Sequence, residues 1–170
     1  KALPDVPYVC FRLPTGGGKT ILAAHAITVA KDAWVEKDFP LVLWLVPTNT
    51  IRAQTAEALK NPRHPYRRVL DEAFDGRVRV FDIGDFTALT PQKLRSNLCV
   101  VVGTIQTLRV TNTDGRKVYA HHEMLEPHFT AVSPNAPGLE RNDDGPMKGD
   151  IRFSFANLCH LHRPLVIMDE

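Results

Sequence analysis

Three short runs without polar interruption mark this chain. They are Leu41 to Val46 (L-V-L-W-L-V), Leu98 to Val102 (L-C-V-V-V) and Leu165 to Met168 (L-V-I-M). Continuous apolar runs of this length read as strands covered on both faces of a parallel sheet. A fourth run, Tyr8-Val9-Cys10-Phe11, predicts a further buried strand, and R-V-R-V-F-D-I over 77–83 alternates as a strand does. Between them lie helical patterns over 19–36, 51–60 and 66–74, a short helix from Pro91 with Thr90 as its cap, and a helix over 151–162. The first helix is apolar on most faces, which predicts packing on more than one side. Thr48-Asn49-Thr50 supplies cap residues after Pro47 ends its strand. Strands alternating with helices predict a parallel, wound α/β sheet. From residue 111 to 150 the periodicity dissolves. Prolines and glycines over 133–150 make that part read as an irregular surface insertion, free to move.

The strongest local chemistry follows the Tyr8–Phe11 run, in R-L-P-T-G-G-G-K-T-I over 12–21. Consecutive Gly16, Gly17 and Gly18 let the backbone adopt turns closed to other residues and bring amide N–H groups close to a polyphosphate. Lys19 would reach the β- and γ-phosphates, and the Thr20 hydroxyl would hold Mg²⁺. The helix that begins there turns its positive end toward the anion. Leu13 stands where the general phosphate-loop pattern has its first glycine. That relaxed position is one that helicase-type motors often show.

Hydrolysis needs more than a cradle: a carboxylate for the metal and a group that activates water. The last apolar strand delivers Asp169 and Glu170 at its carboxyl end, where sheets of this kind place ligands. Asp169 would orient the metal's water shell and Glu170 would polarise the attacking water. The two segments, about 150 residues apart, are therefore expected to meet in space.

The set R-L-P-T-G-G-G-K-T, L-W-L-V-P-T-N-T-I-R-A-Q, V-V-G-T-I-Q-T-L and P-L-V-I-M-D-E resembles motifs I, Ia, Ib and II of superfamily-two helicases. Order and spacing are similar to the first RecA-like domain of DEAD/DEAH-box motors, nearest to the restriction (R) subunits of type III restriction enzymes. The resemblance covers most of the chain outside 111–150. It implies a P-loop RecA-like domain spanning 1–170, with a mainly parallel sheet and helices on both faces. It implies that Thr15, Gly16, Gly17, Gly18, Lys19 and Thr20 bind ATP, with Thr20 and Asp169 on Mg²⁺ and Lys19, Asp169 and Glu170 catalytic. It further implies that Pro47, Thr48, Gln54, Thr104 and Gln106 lie along a nucleic-acid strand. Hydroxyls and helix-end amides suit that task because phosphates accept hydrogen bonds without regard to sequence. DNA is the expected partner, with RNA left open. A second RecA-like domain of a longer parent chain and a methyltransferase or specificity subunit complete the implied set. Because that second domain carries the arginine finger in the family, worth roughly 10³–10⁵ in rate, the 170 residues alone are expected to turn ATP over slowly.

Composition changes this picture little. A formal charge of +2 gives no large basic field, so local contacts would have to do much of the nucleic-acid binding. Cys10, Cys99 and Cys159 are read as free, buried thiols of a reducing cytoplasm, and no apolar run is of membrane-spanning length. Cys159-His160-Leu161-His162 and His121-His122 fit no common zinc spacing. Arg67, Arg68, Arg77 and Arg79 read as a solvated face. Other P-loop enzymes, such as a small-molecule kinase or a GTPase-like switch, are the alternative class, although no N-K-x-D-like guanine reader is present. A third class is a nucleic-acid-binding module that has lost catalysis, against which Lys19, Thr20, Asp169 and Glu170 argue.

Overall fold

The computed structural model describes residues 6–14, 16–35, 37–108 and 117–169. Among these, four strands form one sheet: β1 (Leu41–Val46), β2 (Val78–Asp82), β3 (Leu98–Thr104) and β4 (Leu165–Met168). Their spatial order is β2-β3-β1-β4, and every pairing is parallel. The helices are α1 (Lys19–Ala30), α2 (Asn49–Lys60), α3 (Pro65–Ala73), α4 (Pro91–Ser96), α5 (Ile105–Leu108) and α6 (Phe155–His162). Thr48, Thr90 and Ser154 cap α2, α4 and α6, each accepting a backbone N–H three residues on.

The fully buried pattern of β1 and β3 follows from their central position. Side chains alternate between the two faces of the sheet. Val42, Trp44, Val46, Val100 and Val102 meet α1, α2 and α3 through Ala24, Ile27, Leu59 and Leu70. Leu41, Leu43, Leu45, Cys99 and Val101 face the opposite cluster.

That second face receives part of the segment that follows residue 117. Residues 133–150 do lack regular structure, with one isolated bridge between Arg141 and Ile151. Most of 133–150 is exposed at the surface, whereas the preceding 117–132 sends side chains into the core. Val118, Leu125, Phe129 and Leu139 are buried with Phe155 and Leu158 against the sheet. Backbone polar groups in such a segment must find partners, and side chains supply them. Asn157 accepts from Glu140 N–H at 2.9 Å and donates to Glu140 C=O at 2.8 Å and Arg152 C=O at 2.7 Å. Arg141 donates to the carbonyls of Gly149 and Pro134. Replacing Asn157 by Ala removes three bonds and leaves part-buried backbone groups of Glu140 and Arg152 without that partner. It is expected to cost about 2–4 kcal/mol in chemical denaturation, with a cost under about 0.5 kcal/mol contradicting the role given to Asn157.

Other expectations change. Residues 8–11 form no strand: Tyr8 is 63% and Val9 74% exposed, and Cys10 is exposed. Apolar runs state what a segment could bury, not which ladder receives it, and no described strand pairs with this one; Pro7 also lacks an N–H to donate. The first helix ends at Ala30 and continues as a π-helical turn, Lys31–Val35. Its buried residues are Ala24 and Ile27, only His25 and Val29 are exposed, and it meets both α3 and β4. Cys99 is buried and Cys159 half-buried on α6; burial pushes both thiols up to about 12, so they are inert. Arg67 is not solvated. It pairs with Asp71 at 2.7 Å and donates to the carbonyls of Leu59 and Val78, which ties α3 to α2 and β2. Arg77 lies over the Phe39 ring. Burial holds the His128 and His162 imidazoles below their usual range, His162 at about 4, and the two rings meet edge to face.

Candidate phosphate and nucleic-acid site

The glycine turn is built as its residue types require. Gly16 and Gly18 have φ of 78° and 80°, a left-handed region costly for other residues. Gly17 donates to Pro14 C=O at 2.9 Å, and a Cβ there would lie 2.9 Å from that same oxygen. Gly18 is the N-cap of α1 and offers no side-chain acceptor, and the first turn holds no acidic residue. The helix therefore starts with amide donors and a partial positive charge unspent. Lys19 and Thr20 occupy its first turn, both half-buried. Among the described residues Lys19 has no ion-pair partner.

At the other end of the sequence, Asp169 N–H donates to Leu45 C=O at 2.9 Å, which continues the β1–β4 ladder by one residue. That bond fixes Asp169 at the carboxyl end of β4. Its carboxylate Oδ2 accepts from Thr20 Oγ1 at 3.1 Å, across 149 positions of chain. Hydroxyl and carboxylate oxygens are hard donors of the kind Mg²⁺ selects. The residues present thus fit a triphosphate with its cation. Thr15 and Glu170 lie outside the described residues.

The residues expected along a nucleic-acid strand divide into two groups. Thr104 ends β3, and its Oγ1 shares a hydrogen bond of 2.9 Å with Thr107 Oγ1. With Gln106 it lines a cavity of about 400 Å³ at the carboxyl ends of β2 and β3, beside the start of α2. Pro47, Thr48 and Gln54 do not line it. Thr48 spends an acceptor on Ile51 N–H as the α2 cap, and Gln54 is exposed elsewhere on α2. The cavity instead recruits Asn49, Arg52 and Lys117, none of them expected from sequence as a contact. A helical signal was available: Asn49 and Arg52 are three apart and share a face of α2, while Gln54 is five from Asn49 and points away. Lys117 gave no such signal, because the preceding segment has no periodicity.

A parallel sheet, a glycine turn opening a helix and a hydroxyl–carboxylate contact at the strand ends define a P-loop domain of the RecA-like class. Within it, the family described as Type III restriction enzyme, res subunit, matches residues 6–146, and the chain belongs to that family. No curated protein and no solved structure matches. Membership makes this a helicase-like ATPase motor domain of a family that is generally ATP- and Mg²⁺-dependent and acts on nucleic acid. The match stops before α6 and β4, so Asp169 is tied to the glycine turn by the Thr20 bond and not by the family comparison. Among the described residues no helix is long and apolar enough to cross a membrane.

Proposed function

We propose that this chain is the ATP-binding and ATP-hydrolysing RecA-like domain of a DNA helicase or translocase, serving a type III restriction system. The single observation that carries the reading is the 3.1 Å bond from Thr20 to Asp169. Phosphate-loop hydroxyl and acidic strand end are the two groups that must share a cation in this chemistry. Gly16, Gly17 and Gly18 leave room for phosphate oxygens and present amides to them, and Lys19 places a positive charge beside the transferred group. Thr20 and Asp169 would hold Mg²⁺, which supplies charge neutralisation on the phosphates when bound. Glu170, next in chain, would accept a proton from the attacking water. The domain would span 1–170, with 111–150 inserted, and full turnover would draw an arginine from a second RecA-like domain.

The nucleic-acid track would run over the carboxyl ends of β1, β2 and β3, where Thr104 and Gln106 lie. ATP turnover by the full protein, measured with and without DNA, tests the reading. Stimulation by DNA is the expected result, and a rate indifferent to DNA and RNA alike would contradict a motor.

A further inference from the structure

We propose that Arg52 and Lys117 are a phosphate-binding pair for the nucleic-acid backbone, and that Asp82 is the counter-ion holding Arg52 until a strand arrives. The inference rests on the nucleic-acid reading above and adds to it Arg52, a position of the second motif given no role so far, with Lys117 and Asp82, which lie outside the motifs.

Arg52 and Lys117 line the same cavity as Thr104, Gln106 and Thr107. Two cations and several hydroxyl or amide groups converge there, a donor set suited to an anion. Arg52 Nη1 sits 3.1 Å from Asp82 Oδ1, with about a quarter of each side chain exposed (29% and 27%). Its Nε is buried and, among the described residues, has no hydrogen-bond partner. A guanidinium carries five donors in a fixed fork. The pair therefore leaves Arg52 under-satisfied, and a second acceptor would complete it. Asp82 is itself fixed, because the same Oδ1 accepts from Gly84 N–H at 2.9 Å at the end of β2. The carboxylate thus has a structural task that does not depend on Arg52, so the arginine can leave it without unfolding the turn. Lys117 is exposed, and among the described residues it has no ion-pair partner.

With a chain charge of only +2, local cations must supply the counter-ion release that drives such binding. A backbone phosphate fits better than a peptide carboxylate because the cavity lies at the carboxyl ends of β2 and β3, the same edge of the parallel sheet at which Asp169 follows β4 and bonds Thr20. Phosphate chemistry is common to DNA and RNA, so both strands belong in the test.

Binding of a labelled single-stranded oligodeoxynucleotide and of the matching oligoribonucleotide is measured by anisotropy across a salt series with the full protein. Arg52→Gln and Lys117→Gln are each expected to weaken binding and to reduce the slope of log K against log salt by about 0.7. Asp82→Asn keeps an oxygen for Gly84 and removes the competing charge, so it is expected to tighten binding. Loss confined to one of the two strands identifies which is the partner. Thermal melting checks folding, and the exposed Lys117 gives a variant that does not disturb packing. Binding that persists with an unchanged slope in both Gln variants overturns the pair while leaving the motor reading intact. No binding of either strand by the unaltered protein overturns both.

Discussion

Replacing Lys19 by Ala abolishes ATP turnover in the full protein, with a loss on the order of 10²–10³ or more in kcat, while nucleic-acid binding survives. The magnitude is that of removing one preorganised charge from a site where negative charge develops. Lys19 opens α1 directly after the glycine turn and stands without an ion pair among the described residues, so its charge is uncommitted. Nucleic-acid binding is spared because the cavity is lined from α2, the end of β3, α5, the residues after β2 and the 117–118 stretch, not from α1. Phosphate release and strand binding measured side by side check the separation. Retained turnover would show that the glycine turn is not the nucleotide cradle.

Glu170→Gln is the second large effect, of opposite character. A positioned general base contributes about 10²–10⁴ in rate, and the amide cannot take a proton. The expected protein holds ATP as well as before and fails to cleave it, so nucleotide recovered after rapid gel filtration is triphosphate. Asp169 keeps its bond to Thr20 in that variant, since the bond joins those two side chains. Unchanged turnover would remove Glu170 from the reaction and leave Asp169 as the only acid the site uses.

The contact between Thr20 and Asp169 was legible before any coordinates because each residue had a distinct local reason to be where it is. Glycines need a turn, an apolar run needs a sheet, and the carboxyl ends of parallel strands meet helix starts. The central strands were equally plain, since β1 and β3 bury both faces and must be apolar throughout. Residues 8–11 failed for the converse reason: their apolar pattern carries no information on a pairing partner. The ordered course of 117–150, with core contacts at Val118, Leu125, Phe129 and Leu139, was hidden because much of its order comes from long-range side-chain bonds. Asn157 reaches back 17 positions to Glu140, and Arg141 gathers the carbonyls of Gly149 and Pro134. No short-period pattern encodes such bonds. Arg67 looked like solvated charge for the same reason, because its acceptors lie on α2 and β2 as well as on its own helix. Arg52 was readable in part, by its helical spacing from Asn49, but its pairing with Asp82 required the fold.

The account depends on Thr20 and Asp169 acting together on one cation. Calorimetric binding of a non-hydrolysable ATP analogue, with and without Mg²⁺, across the unaltered protein, Thr20→Val, Asp169→Asn and the double variant, tests this most directly. Mg²⁺ should tighten binding to the unaltered protein, each single change should remove most of that gain, and the double change should add little further. An undiminished gain in both single variants, or losses that simply add, would contradict it.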